Sequence, residues 1–184
     1  MKKVCVMLAE GFEEIEALTV VDILRRGEIA VDMVSITEDE MVTGAHGITV
    51  KADKTFLKME ETVDCIVLPG GLPGTVNLKE KVELMEKVKK QYEEGRYLAA
   101  ICAAPALILG ELGLLQDKKA TCYPQMEEHM KGAIYDDTKP VVQDGTIITS
   151  CSMGGAIAFS LQILECLSNK EKANQIRESL VIRG

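Results

Sequence analysis

Val4-Cys5-Val6-Met7-Leu8 is an uninterrupted apolar run of strand length, with no polar residue to offer a wet face. A strand solvated on one side alternates apolar with polar residues. A strand without alternation is buried on both sides, as in a parallel sheet covered by helices. Cys65-Ile66-Val67-Leu68 repeats the pattern, and Tyr97–Ile101 is a third such run. Parallel neighbours need long crossovers, and the segments between the runs have helical spacing. Residues 13–26 carry Ile15, Leu18, Val21 and Leu24 on one face, acids in the first turn, Arg25-Arg26 in the last and Gly27 beyond.

The same reading predicts a strand at 30–36 and a hairpin at 42–50 around Gly44 and Gly47. It predicts helices at 79–94, at 103–112 closed by Gly113, and at 156–167 with Phe159, Ile163 and Leu167 inward. A strand is expected at 146–149 and a last helix behind the Ser168-Asn169 cap. Strands alternating with helices imply a flavodoxin-like, doubly wound α/β sandwich, with a mostly parallel central sheet and helices on both faces. No linker or repeat divides the chain, so one domain over 1–184 is expected, and 47% hydrophobic residues suffice for its core.

Charge and cysteine usage narrow the function. A net charge of −8 argues against a nucleic-acid surface. The six cysteines are never spaced Cys-x-x-Cys and mostly lie in apolar runs, which fits a reducing, cytoplasmic setting. Met1-Lys2-Lys3 and the following apolar stretch resemble a signal peptide, but Glu10, Glu13 and Glu14 cut that stretch short, and no run has membrane-spanning length. The two histidines, His46 and His129, show no paired ligand spacing, so neither metal nor cofactor is expected.

In doubly wound folds, ligands bind at the carboxyl ends of the strands. Three strand ends stand out: Leu8-Ala9-Glu10-Gly11-Phe12-Glu13-Glu14-Ile15-Glu16, Leu68-Pro69-Gly70-Gly71 and Ala99-Ala100-Ile101-Cys102-Ala103-Ala104-Pro105. All three should converge on one edge. In the third, apolar residues run into Cys102 and small residues follow, the pattern of a nucleophile elbow. A helix N-terminus there would favour the thiolate and lower its pKa. Otherwise Cys102 is one more small core residue. Gly70 and Gly71 let backbone N–H groups approach a ligand, and Gly71 with Ala103 N–H would form an oxyanion hole; alternatively the turn simply needs two glycines. Glu16 either drifts towards the sheet, apart from a solvated Glu13 and Glu14, as a protonated hydrogen-bond donor to sulfur, or is an exposed first-turn acid. His46, in Gly44-Ala45-His46-Gly47, either lines the pocket or caps the hairpin.

Together these motifs resemble the ThiJ/PfpI superfamily in its DJ-one branch, from Met1 to the C-terminal helix. The resemblance implies a reactive thiolate at Cys102, a carboxyl hydrogen-bonded to it at Glu16, and N–H groups of Gly71 and Ala103 that receive an oxyanion or oxidised sulfur. It also implies a homodimer through the first helix, near Ile15 and residues 22–26. The activities it implies are cofactor-independent conversion of α-oxoaldehydes such as methylglyoxal, removal of early glycation adducts, or oxidative sensing with holdase-like protection. Ala103 stands where superfamily peptidases have a histidine, which disfavours a cysteine–histidine dyad. Three residues depart from the pattern. Tyr123 replaces a histidine before Pro124 and is no base near neutral pH. Ser150-Cys151-Ser152-Met153-Gly154 lacks the usual arginine, and His46 replaces a hairpin arginine. The expected function is a Cys102-dependent enzyme acting on reactive aldehydes or their adducts, with a redox sensor or chaperone as the alternative.

Overall fold

A computed structural model describes residues 1–182; residues 183–184, the end of the unit expected over 1–184, lie outside the described residues. In chain order the elements are β1 (Lys3–Leu8), α1 (Glu14–Arg26), β2 (Ala30–Ser35), β3 (Met41–Thr43), β4 (Thr49–Lys51), β5 (Lys54–Thr55) and β6 (Cys65–Leu68). They continue with α2 (Gly74–Glu80), α3 (Val82–Glu93), β7 (Tyr97–Ile101), β8 (Lys119–Ala120), β9 (Ile134–Tyr135), β10 (Val141–Asp144), β11 (Ile147–Ser150), α4 (Ala156–Leu167) and α5 (Lys170–Ser179).

Seven strands form one sheet in the order β10-β11-β7-β6-β1-β2-β5. Every pairing in it is parallel except β10 against β11. Because side chains alternate across a strand, each apolar run feeds two cores. Val4, Val6 and Leu8 meet Val20 and Leu24 of α1 and Phe159 and Leu164 of α4. Cys5 and Met7 face Leu78, Leu84 and Val88 of α2 and α3 on the other side. This is the flavodoxin-like sandwich, with the apolar runs of β1, β6 and β7 at its centre.

Two helices differ from their predicted form. The predicted helix at 79–94 is part of two, broken at Lys81, whose backbone turns extended. Leu78 and Leu84 are both fully buried, yet six residues place them about 120° apart around one continuous helix, so the break lets both reach the core. The predicted helix at 103–112 is a short π-type turn over Pro105–Gly110. Its wide spiral brings Gly110 against the backbone of His129, where a Cβ would clash, and Gly113 reverses the chain at φ +74° as expected. The antiparallel edge strand β10 and the short β5, β8 and β9 were not predicted. Asn169 caps α5 by accepting a 2.9 Å hydrogen bond from Lys172 N–H. Among the described residues no helix is long and apolar enough to cross a membrane.

Candidate active site

The three predicted strand ends meet at the carboxyl edge of β1, β6 and β7. The last of these strands runs straight into Cys102, whose φ is +64°. The left-handed region costs a residue with a side chain roughly 1–2 kcal/mol. Two main-chain hydrogen bonds hold it there: Cys102 N–H donates to Ser150 O at 2.9 Å, and Tyr123 N–H donates to Cys102 O at 2.8 Å. The elbow predicted from small residues after an apolar run is therefore present. It aims the thiol off the end of the sheet towards α1.

Gly70 and Gly71 extend β6 beneath that thiol. A Cβ on Gly70 would lie 2.5 Å from Cys102 Cβ and 2.6 Å from Glu16 Oε2, so only hydrogen fits. Gly70 N–H donates to Glu16 Oε2 at 2.8 Å. Gly71 adopts φ +87°, and a Cβ there would strike the backbone of Glu13. These contacts favour close approach over the simpler reading of a turn that needs two glycines.

Glu16 is 1% exposed, which decides its burial. The expectation that Glu13 and Glu14 are solvated is overturned: they are 8% and 3% exposed. The start of α1 is clamped between the loop after β6 and the β3–β4 hairpin. Glu13 N–H donates to Gly70 O at 3.0 Å, and Ala45 N–H donates to Phe12 O at 2.8 Å. Glu14 accepts His46 N–H at 2.8 Å on Oε1 and faces the imidazole Nδ1 at 3.0 Å with Oε2. Burial pushes Glu14 up, but the His46 ring and the backbone donors prevail and hold it below its ordinary value; His46 is raised in turn by its hydrogen bond to Glu14.

Burial raises the Glu16 carboxyl to about 7, against hydrogen bonds from Gly70 N–H and Cys102. For Cys102, burial comes first, then the Glu16 charge and its hydrogen bond; together they push the thiol up to about 12, while the N–H groups of Gly71 and Ala103 act downward. The expected depression at a helix N-terminus is thus corrected. The spiral that follows Cys102 is only six residues long, and a buried carboxylate stands beside the sulfur. The two groups titrate as one unit, which gives up its first proton near neutrality. Glu16 Oε1 is buried without a hydrogen-bond partner.

A pocket of about 470 Å³ opens over the sulfur, and its lining includes Glu13, Glu16, Gly71, Cys102, Ala103 and Tyr123. The remaining wall comes from Leu72, residues 124–126 and residues 152–153. Of the predicted pocket residues, Tyr123 lines it. Gly70 lies below it, and His46 sits out on the hairpin with its side chain 65% exposed. The reading of 42–50 as a hairpin holds, and His46 belongs to its turn rather than to the pocket lining.

Glu13 is, among the described residues, the one acidic lining residue outside the sequence-predicted site. Its position three before Glu16 places both acids on one side of the helix start, a signal that was available. Among the described residues two clusters have ligand atoms close enough to share a cation: Cys5-Asp32-Glu60 and Glu13-Glu14-His46. In the first, Lys54 already pairs with Asp32 at 2.9 Å and Glu60 at 3.0 Å.

The family model described as the DJ-1/PfpI family matches residues 2–166. Protein DJ-1 homolog B of Arabidopsis thaliana is 43% identical over 99% of the chain, and homolog A is 42% identical over 99%. The chain spans about half the length of these relatives, 42% and 47% respectively. The solved structure of oxidized Toxoplasma gondii DJ-1 superposes with a TM-score of 0.95 at 37% identity, covering 100% of both chains. Because the family model spans residues 2–166, nearly the whole chain, the chain belongs to the DJ-1/PfpI family.

Proposed function

We propose that this protein is a cofactor-independent enzyme in which Cys102 attacks reactive α-oxoaldehydes or their early glycation adducts. One observation carries the reading: a strained elbow thiol has two backbone N–H groups facing its sulfur and a buried acid, pushed up to about 7, beside it. When the pair has lost one proton, the remaining one can sit on sulfur or on Glu16. The N–H groups of Gly71 and Ala103 support negative charge on sulfur, and the unpartnered Oε1 supports a proton on Glu16.

In this reading the thiolate forms a C–S bond to the aldehyde carbon, and the C=O π pair moves to oxygen. Gly71 and Ala103 N–H groups hold the developing oxyanion, and Glu16 delivers its proton there. Transfer of the former aldehyde hydrogen, as a proton, to the neighbouring carbonyl carbon turns the adduct into a thioester. Water cleaves this to a hydroxy acid and frees Cys102. Tyr123, at the pocket wall where the family pattern has histidine, contributes shape and a hydroxyl rather than a base.

The test is methylglyoxal consumption by purified protein with chelator and no added cofactor, beside Cys102→Ser. Turnover lost in the variant supports the proposal; equal rates in both, or none in either, remove it.

A second reading has its own support, since the Toxoplasma neighbour was solved oxidized. Cys102 would then be a redox sensor, with the same N–H groups holding a sulfinate. Mild peroxide followed by mass spectrometry should modify Cys102 ahead of Cys151 and Cys166, which are also partly exposed. Equal modification of the three contradicts it.

We also propose a homodimer. Ile15 at 52% and Ile157 at 42% exposure leave apolar side chains uncovered at the starts of α1 and α4. Six free thiols support a reducing, cytoplasmic setting.

A further inference from the structure

Glu13 and Glu14 are buried carboxylates with too little positive charge around them. Among the described residues neither pairs with lysine or arginine, and His46 is the one cationic side chain within ion-pair distance of either. Glu14 is well provided with donors: the His46 and Ile48 N–H groups reach Oε1 at 2.8 and 3.4 Å. Glu13 is not. It is 8% exposed, neither of its carboxylate oxygens accepts a hydrogen bond among the described residues, and Oε1 points at His46 Nδ1 from 3.7 Å. Its carboxylate faces the pocket, and a cation placed between it and Glu14 would supply the partner that His46 alone offers from a distance.

One ligand atom from each of the three groups lies within 4.8 Å of the others, close enough to share an ion. A tetrahedral ion with bonds of about 2.0–2.2 Å holds neighbouring ligand atoms about 3.3–3.6 Å apart. His46 Nδ1 lies 3.0 Å from Glu14 Oε2 and 3.7 Å from Glu13 Oε1, which brackets that range. The backbone donors on Glu14 Oε1 fix the second carboxylate from behind, as outer partners do at metal centres. His46 is largely exposed, so an ion can enter from solvent.

We propose that Glu13, Glu14 and His46 form a binding site for a divalent transition ion of the zinc class at the rim of the Cys102 pocket, separate from the thiol. Imidazole with two carboxylates suits zinc, cobalt or nickel better than magnesium or calcium, which take more oxygen ligands. Glu13 also lines the Cys102 pocket, so the bound ion replaces a negative rim by a neutral one and makes it more hospitable to carbonyl and anionic ligands. The sequence expectation of no metal rested on spacing along the chain; here residues 13–14 and residue 46 come from different elements and meet only in the fold.

The experiment is calorimetric titration of the full chain with zinc chloride, beside His46→Ala, Glu13→Gln and Cys102→Ser, and a cobalt(II) spectrum of each complex. Far-UV circular dichroism checks that the variants fold; His46 is exposed enough that its replacement should not disturb them. The expected result is one ion per chain, not displaced by excess magnesium. Binding should weaken at least about tenfold in His46→Ala and Glu13→Gln and persist in Cys102→Ser. The cobalt complex should lack the near-ultraviolet band of thiolate ligation. No binding, binding indifferent to His46, or a cobalt–thiolate band lost in Cys102→Ser would each overturn the proposal.

Discussion

At the residue scale, Glu16 couples the site to stability. Its carboxyl lies at about 7 in the folded chain against 4.5 for an ordinary glutamate. Between those values the folded form keeps a proton that the unfolded chain has released. Stability therefore falls as pH rises from 4.5 through 7, by about 3 kcal/mol at most. Urea midpoints for the protein should drop between pH 4.5 and 8, and Glu16→Leu should flatten much of that drop; an unchanged slope in the variant contradicts the assignment. Gly70→Ala puts a methyl group into Cys102 and Glu16 and should slow alkylation of Cys102 at least about tenfold by misplacing both groups. Gly71→Ala, at φ +87°, should cost more than about 1 kcal/mol of stability. Cys102 and Gly71 were legible in the sequence because each sits at a strand end, whereas spacing left Glu16 open between a buried and an exposed acid and only the family resemblance pointed to it. The burial of Glu13 and Glu14, and the upward pull on the thiol, were not. They depend on the hairpin closing over α1 and on a neighbouring charge, neither of which is local to the motif.

At the scale of elements, β1, β6 and β7 were readable because a strand buried on both faces leaves an unbroken apolar run. The break between α2 and α3 was hidden, since Lys81 carries no helix-breaking signature and the cause is the separate burial of Leu78 and Leu84. The β10–β11 hairpin did leave a mark: Asp144-Gly145 is a hairpin turn pair, and Gly145 has φ +59°. The bridges β8 and β9 are two residues each, too short for any periodicity. The packing of α4 on the sheet rests on Phe159, fully buried among α1, α4 and the central strands. Phe159→Ala should destabilise the fold by about 3–5 kcal/mol, measured as a lowered denaturant midpoint with an unchanged slope.

For the whole molecule, the sheet order brings the carboxyl ends of β1, β6 and β7 side by side and places residues from distant parts of the chain around one sulfur. The exposed Ile15 and Ile157 set the expectation for assembly: sedimentation velocity should give a dimer, and Ile157→Lys should shift it to monomer. A monomer for the parent chain would contradict the dimer proposal. Fold class and the direction of the site were legible at this scale because alternating strands and helices with parallel connections allow few arrangements. The shape of the pocket wall was not, because residues 124–126 and 152–153 come from irregular segments.

The central claim is that the buried Glu16 carboxyl and the Cys102 thiol act as one coupled pair, in which the charge on Glu16 governs when Cys102 ionises. The most direct test is the pH dependence of Cys102 alkylation by iodoacetamide, followed by mass spectrometry in the protein and in Glu16→Leu. The charge on Glu16 helps hold the Cys102 thiol up, so reactivity in the parent chain should climb only towards alkaline pH, and removal of Glu16 should move that climb to lower pH. A profile that is unchanged in Glu16→Leu, or that moves to higher pH, would contradict this coupling.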